Sequence, residues 1–413
     1  MYVDFDSGSI TAEEWNNRDV VKLCSDNTLL IGATQTGKST LSNEIVNQVY
    51  ANGLGKTVIF EVKGERVKQI EQTDYYISSK DFCCQGERFN WSILKEAKDS
   101  VTCSKCVEGE IRRIYEPIFK SAKAGNSQPY FVEAVWDLIT GLTYAVYIKY
   151  GIVSNYRLFS ILEASDVSQY LQLLGETGIV KRYARHIPIL DNKLTPQAAS
   201  VLAELSHYLR LFINLSNDTD GECKSIFDFC KSEEMLKMYI IYDYANRESN
   251  NILASMILNL IISYKLSYRP IGKQNIFLFL DEISVIKDYT VDLDYALNIG
   301  TSKGLYIIVA IQSIGFLNAI YGSDSAVAIL EGFSNIVCFK MNEQKSREYI
   351  RNRIGVKNEI VQAALPLTRK DRVVLNIAEK INITDQNIAS LGVGCAYVKC
   401  NINEPHKVTF KLE

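Results

Sequence analysis

With 413 residues, 47% of them hydrophobic, the chain can bury one large core domain, or such a domain with a smaller companion. A net charge of −3 removes any global electrostatic case for nucleic acid, so a DNA contact needs a locally basic surface such as the inside of a ring. The acidic start, Met1 to Asp6, lacks the basic and apolar regions of a signal peptide, and the ten cysteines are scattered, which together favour free thiols in a reducing cytosol.

Residues 27–31 form a short apolar run ending at a glycine, and Leu41, Ile45, Val46 and Val49 then recur at helical spacing. A strand, a Gly-rich turn and a helix are therefore predicted in succession. Residues 57–61 read as a buried parallel strand, and 75–77 as another. From about 154 to 217 no strand is expected: Leu158, Ile161, Leu162, Leu171, Leu174, Val201, Leu205 and Leu209 keep a helical period, broken at Pro188 and Pro196. Strands return at 238–242, 276–280, 305–310 and 335–339, and 396–399 with 408–411 suggests a closing hairpin. The most apolar stretch, 252–262, is about half the ~20 residues that span a bilayer, so no membrane span is expected. Strands alternating with helices predict an α/β fold with a mostly parallel sheet covered on both faces. The expected division is a nucleotide-binding domain at 1–150 and 221–413, with an all-alpha insertion at 151–220.

Gly32-Ala33-Thr34-Gln35-Thr36-Gly37-Lys38-Ser39 follows the first strand and opens the first helix. That context marks a phosphate-binding loop. Gly32 and Gly37 let backbone N–H groups converge on phosphates, and the helix N-terminus adds partial positive charge. Lys38 would neutralise the β- and γ-phosphates, the Ser39 hydroxyl would ligate Mg2+, and Thr40 would lie near the α-phosphate. The run 276–280 ends in Asp281-Glu282, two carboxylates at the carboxyl end of a buried strand. Asp281 is expected to hold the Mg2+ water shell and Glu282 to orient the attacking water. Gln312, just past the strand at 305–310, can contact the γ-phosphate or its water. Lys63, after the strand at 57–61, can point to the same cleft, or Glu61-Val62-Lys63-Gly64-Glu65 is simply a charged turn. These residues predict a RecA-like P-loop ATPase using ATP and Mg2+, with 32–39 and 281–282 acting on one triphosphate.

The ordered set resembles the type IV secretion coupling proteins, the conjugative DNA-pump ATPases of the TraD/TraG class. The likeness runs through the loop at 32–40, Lys63-Gly64-Glu65, Phe89-Asn90, Ile226-Phe227, Leu280-Asp281-Glu282, Gly304-Leu305, Gln312-Ser313, Asn335-Ile336, Gly394 and Ala396-Tyr397-Val398, with the helical insertion in the matching place. It implies a cytoplasmic hexameric ring with ATP between subunits. DNA, single-stranded or carrying a protein, would pass through the channel, and the insertion would receive the relaxosome or meet secretion-channel proteins. The family usually carries two N-terminal membrane helices. Here the loop is reached by residue 32, so a partner is expected to recruit the chain to the inner membrane face.

The family also implies a trans-acting arginine where this chain has Thr301. Such a finger is worth 10³–10⁵ in rate, about 4–7 kcal/mol. Lys303, Arg347, Arg351 and Arg353 are the candidate replacements, though a lysine matches phosphate less well than a planar fork. Glu61-Val62 stands where the family has Asp-Pro. Two other readings stay open: a soluble relative of the FtsK/HerA pumps in DNA processing or defence, and a nucleotide-gated recruitment platform with little turnover. Cys83, Cys84, Cys103 and Cys106 are weak zinc candidates, since adjacent cysteines are awkward joint ligands. Lys181, Arg182 and Arg185, like 369–372, read first as solvated basic faces.

Overall fold

The computed structural model describes residues 12–79, 84–103, 106–124, 128–178, 180–190, 193–214, 221–282, 291–364, 373–381, 383–401 and 404–412. In chain order these form β1 (Ala12–Trp15), β2 (Thr28–Ile31), α1 (Lys38–Ala51), β3 (Lys56–Glu61), β4 (Tyr75–Ile77), β5 (Glu87–Arg88), α2 (Ile93–Asp99), α3 (Val107–Ala124), α4 (Pro129–Tyr150), α5 (Asn155–Ala164), α6 (Val167–Glu176) and α7 (Val180–Tyr183). There follow β6 (Ile189–Leu190), β7 (Lys193–Leu194), α8 (Pro196–Ile213), α9 (Ile226–Lys231), β8 (Lys237–Ile241), α10 (Arg247–Leu266), β9 (Ile276–Leu280), α11 (Leu293–Ile299) and β10 (Leu305–Ile311). The chain closes with α12 (Ile314–Tyr321), α13 (Ser323–Glu331), β11 (Asn335–Cys338), α14 (Gln344–Ile354), β12 (Val356–Ala364), β13 (Val373–Ile381), α15 (Asp385–Ala389), β14 (Cys395–Lys399) and β15 (His406–Phe410).

The chain forms two compact units, residues 1–52 with 307–413, and residues 53–306. In the first, strands are ordered β1-β15-β14-β11-β2-β10. β2 lies between β10 and β11 and is parallel to both, and all four of its residues are buried. The expected closing hairpin is present: β14 and β15 pair antiparallel, and β15 also takes up β1. Sequence reading did not anticipate the antiparallel ribbon of β12 and β13. The basic cluster at 369–372 lies outside the described residues.

In the second unit the order is β9-β3-β8-β4-β5, every pair parallel. β3 and β9 are buried along their whole length, β9 as a continuous apolar run and β3 with buried Lys56 and Glu61 at its ends. The run 252–262 is the interior of α10, with Ile252, Ile257, Leu258 and Ile261 fully buried. A more extended apolar helix, α4, is the one described segment long and apolar enough to cross a membrane; 61% of its apolar window is buried. It packs on α3, α6 and α8 as a core helix. Helices α2 to α4 precede residue 151, and the stretch 154–217 contains a strand pair that sequence reading excluded: Ile189 and Leu190 ladder with Leu194 and Lys193.

Two charged side chains fasten α9 in this unit. At its N-terminus Glu96, fully buried, accepts from the backbone N–H of Ile226 (2.5 Å) and Phe227 (2.9 Å). Its carboxylate also accepts from Trp91 Nε1 (2.8 Å) and the Tyr264 hydroxyl (2.6 Å). At the C-terminus the buried Lys56 amine donates to the carbonyls of Phe229, Cys230 (3.3 Å) and Ser232 (2.5 Å). Opposite charges thus meet opposite ends of the helix dipole.

Candidate functional site

Parallel pairing of β2 with both neighbours decides what surrounds the loop at 32–39. The register sets Ile311 and Cys338 opposite Ile31, so the chain leaves all three strands at one level. Gly32 N–H donates to Ile311 O (3.2 Å) and Ala33 N–H to Lys340 O (2.7 Å). Gln312, the next residue after Ile311, therefore stands beside the start of the loop.

Within the loop Gln35 has φ +58° and Gly37 φ +113°, the left-handed turns that make successive N–H groups converge on an anion. Gly37 caps the N-terminus of α1, whose first amides lack intrahelical acceptors. Lys38 is buried, and its Nζ donates to Gly32 O and Ala33 O, both at 2.6 Å. Thr36 Oγ1 donates to Ala33 O (2.8 Å), and Gly394 N–H donates to Thr36 O (3.1 Å) from the segment leading into β14. Ser39 is half-buried, while Thr34, Gln35 and Thr40 are exposed. Converging amides, a buried amine, a hydroxyl and a helix N-terminus are a donor set that suits a polyphosphate with magnesium.

In the other unit, Phe60 pairs with Leu280, so Glu61 and Asp281 follow at neighbouring strand ends. Arg66, only 2% exposed, places Nη2 2.9 Å from Asp281 Oδ2 and Nη1 4.0 Å from Glu61 Oε2. Burial pushes the Glu61 carboxyl up; Arg66 pulls it down and the Asp281 charge raises it again. Lys63 N–H donates to Glu61 Oε1 (2.9 Å), and Gly64 turns the chain at φ +74° toward Arg66. Glu282 is half-buried. Sequence reading missed Arg66: in a turn with four other charges it looks solvated, and only the buried carboxylates reveal its role.

The candidate replacements for Thr301 all have internal partners. Lys303 Nζ donates to Ser267 O (3.1 Å) and Tyr268 O (3.4 Å). Arg347 bonds the carbonyls of Met341 and Asn342, Arg353 those of Glu331 and Phe333, and Arg351 pairs with Asp385 at 3.1 Å. Thr301 itself opens a single 3-10 turn. Cys103 and Cys106 are exposed and Cys84 is half-buried; Cys83 lies outside the described residues. Among the described residues no three His, Cys, Asp or Glu side chains gather as a metal-holding group. In the helical block Arg182 pairs with Glu108 (2.7 Å) and Arg185 with Asp137 (3.1 Å).

The profile of the type IV secretion-system coupling protein DNA-binding domain matches residues 20–382. No curated protein matches the chain. Among solved structures, the bacterial conjugative coupling protein TrwBdeltaN70, in an unbound form, is similar at TM-score 0.72 and 18% identity, over 94% of this chain and 85% of that one. The plasmid coupling protein TrwB in complex with ADP and Mg2+ gives 0.70 at 17% identity, over 97% and 89%. VirB4 of Thermoanaerobacter pseudethanolicus gives 0.53 at 11% identity, over 99% and 98%. These likenesses show the fold as the expected α/β one, RecA-like with a mostly parallel sheet.

Proposed function

The chain belongs to the type IV secretion-system coupling protein family, and on that premise we propose that it is an ATP-hydrolysing motor that moves DNA or nucleoprotein. The observation that carries this reading is the loop at 32–39, whose left-handed Gln35 and Gly37 and buried Lys38 suit a polyphosphate, with Gln312 directly after the residue that bonds Gly32. Bound magnesium would offset phosphate charge as the terminal phosphoryl group leaves. In this proposal the amides of Gly32, Ala33, Thr34, Gln35, Thr36 and Gly37 orient the phosphates. Lys38 moves from the carbonyls of Gly32 and Ala33 onto the β- and γ-oxygens. Ser39 and Asp281 would hold the magnesium, Thr40 would lie by the α-phosphate, Glu282 would align the attacking water, and Gln312 would read the terminal phosphate. TrwB bound to ADP and Mg2+ supports the choice of ligand.

We further propose a homohexameric ring that acts in the cytoplasm and is recruited to the membrane by a partner, with relaxosome or secretion-channel proteins as further contacts. The inserted helical domain would receive substrate; its extent is proposed as α3 to α8, wider than 151–220. Threonine at 301 keeps one second reading in view, a nucleotide-gated platform with little turnover.

Hydrolysis measured with and without single-stranded DNA separates the two. DNA-stimulated turnover lost in Lys38→Ala and Glu282→Gln supports the motor, and nucleotide binding without turnover supports the platform. A sixfold mass in ATP, Mg2+ and single-stranded DNA is expected, and a monomer under every condition would count against the ring.

A further inference from the structure

Gln312 and Ser313 lie between Ile311 and Ile314, and the chain is fastened on both sides of them. On one side Ile311 O accepts from Gly32 N–H (3.2 Å), which ties the end of β10 to the start of the loop at 32–39. On the other, the N–H of Ile314, the first residue of α12, donates to Ser346 Oγ in α14 (2.9 Å). Among the described residues the side-chain cap of α12 therefore comes from α14 and not from its own N-cap residue, Ser313. Ser346 is fully buried, and its hydroxyl donates to Glu343 Oε2. That bond fixes the hydroxyl proton and turns a lone pair of Oγ toward Ile314 N–H. Glu343 also lies against the first turn of α12, since a Cβ on Gly315 would sit 2.9 Å from its Oε1. A carboxylate there meets the positive end of the helix dipole. We propose that Ser346, oriented by Glu343, is a positioning residue for Gln312: it fixes the start of α12, so that the Gln312 side chain is held for the terminal phosphate. The proposal rests on the ATPase reading above and adds two residues outside the motifs at 32–39 and 281–282.

The test is a double-mutant cycle on steady-state ATP hydrolysis by the full chain, with MgATP and single-stranded DNA. Ser346→Ala is expected to lower kcat about 3–10-fold, the effect of one lost hydrogen bond, with KM for ATP nearly unchanged. In a Gln312→Ala background the same change should alter kcat by less than about two-fold, because the side chain it positions is gone. A serine with a purely structural role would lower kcat by the same factor in both backgrounds. Glu343→Gln keeps an acceptor but loses the charge. It should fall between wild type and Ser346→Ala with the same dependence on background, and it carries the test if Ser346→Ala does not fold. Equal factors in the two backgrounds overturn the proposal. So does a kcat within about two-fold of wild type in both the serine and the glutamate variants. An unchanged kcat in Gln312→Ala overturns it as well, by removing the role being positioned. Absence of ATP turnover in the wild-type chain would instead sink the ATPase reading itself, and this proposal with it.

Discussion

A Cβ placed on Gly32 would sit 2.6 Å from the Cβ of Phe339 and 3.1 Å from Lys340 O. Because β11 runs parallel to β2 and ends at the same level, the strand end itself is the obstacle, and backbone must move to relieve the clash. Gly32→Ala should cost about 1–3 kcal/mol of stability, the usual cost of overpacking. It should also weaken ATP binding, since Ala33 N–H to Lys340 O anchors the start of the loop. Urea unfolding and nucleotide titration on the same variant check both.

Gln312 follows the residue whose carbonyl accepts from Gly32 N–H. A side chain that reads the terminal phosphate acts on turnover more than on affinity. Gln312→Ala should therefore lower kcat by 10-fold or more, on the order of a lost polar contact in the transition state. KM for ATP should change far less. An equal effect on binding alone would assign Gln312 to ground-state contact.

The P-loop half of the site was legible because each element had a local signal. The apolar run of β2, the glycine spacing and the period of Leu41, Ile45 and Val49 agreed, and α1 begins and ends where that period does. Asp281-Glu282 was readable because five apolar residues led into it. Arg66 was not, since its meaning depends on strand pairing some 215 residues away. Nor were β6 and β7, since they contribute two residues each, too few for a period to show.

Glu96 satisfies four donors from three segments while itself fully buried. Glu96→Ala should cost about 3–5 kcal/mol, because it strands the amides of Ile226 and Phe227 and the polar groups of Trp91 and Tyr264. A fall in the urea midpoint with unchanged m-value is expected.

Asp137 is the hub of Arg112, Arg185 and His186 in the helical block. Burial raises its pKa, but the His186 hydrogen bond and the two arginines outweigh that and hold the carboxyl near about 2, against an ordinary 3.8. A depressed carboxyl adds stability that is complete above the unfolded value and is lost as pH falls through the folded one. The wild-type chain should therefore lose thermal stability between pH 4 and about 2 more steeply than Asp137→Asn. Parallel melting curves of the two across that range would contradict the assignment.

Lys56 gives a dependence of the same sign, but in the alkaline range. Burial pushes its amine down to about 8 from 10.5, and the nearby Lys265 adds to the fall. Below about pH 8 the folded chain keeps a charged amine in an apolar setting, offset by the carbonyls of Phe229, Cys230 and Ser232. Between about 8 and 10.5 the unfolded chain binds more protons than the folded one, so stability rises with pH through that window. Comparison with Lys56→Met isolates this contribution from every other titrating group. The difference in urea midpoint, wild type minus variant, should increase from pH 7.5 to 10. A flat difference would mean that the three carbonyls compensate the charge fully and that the amine titrates at its ordinary value.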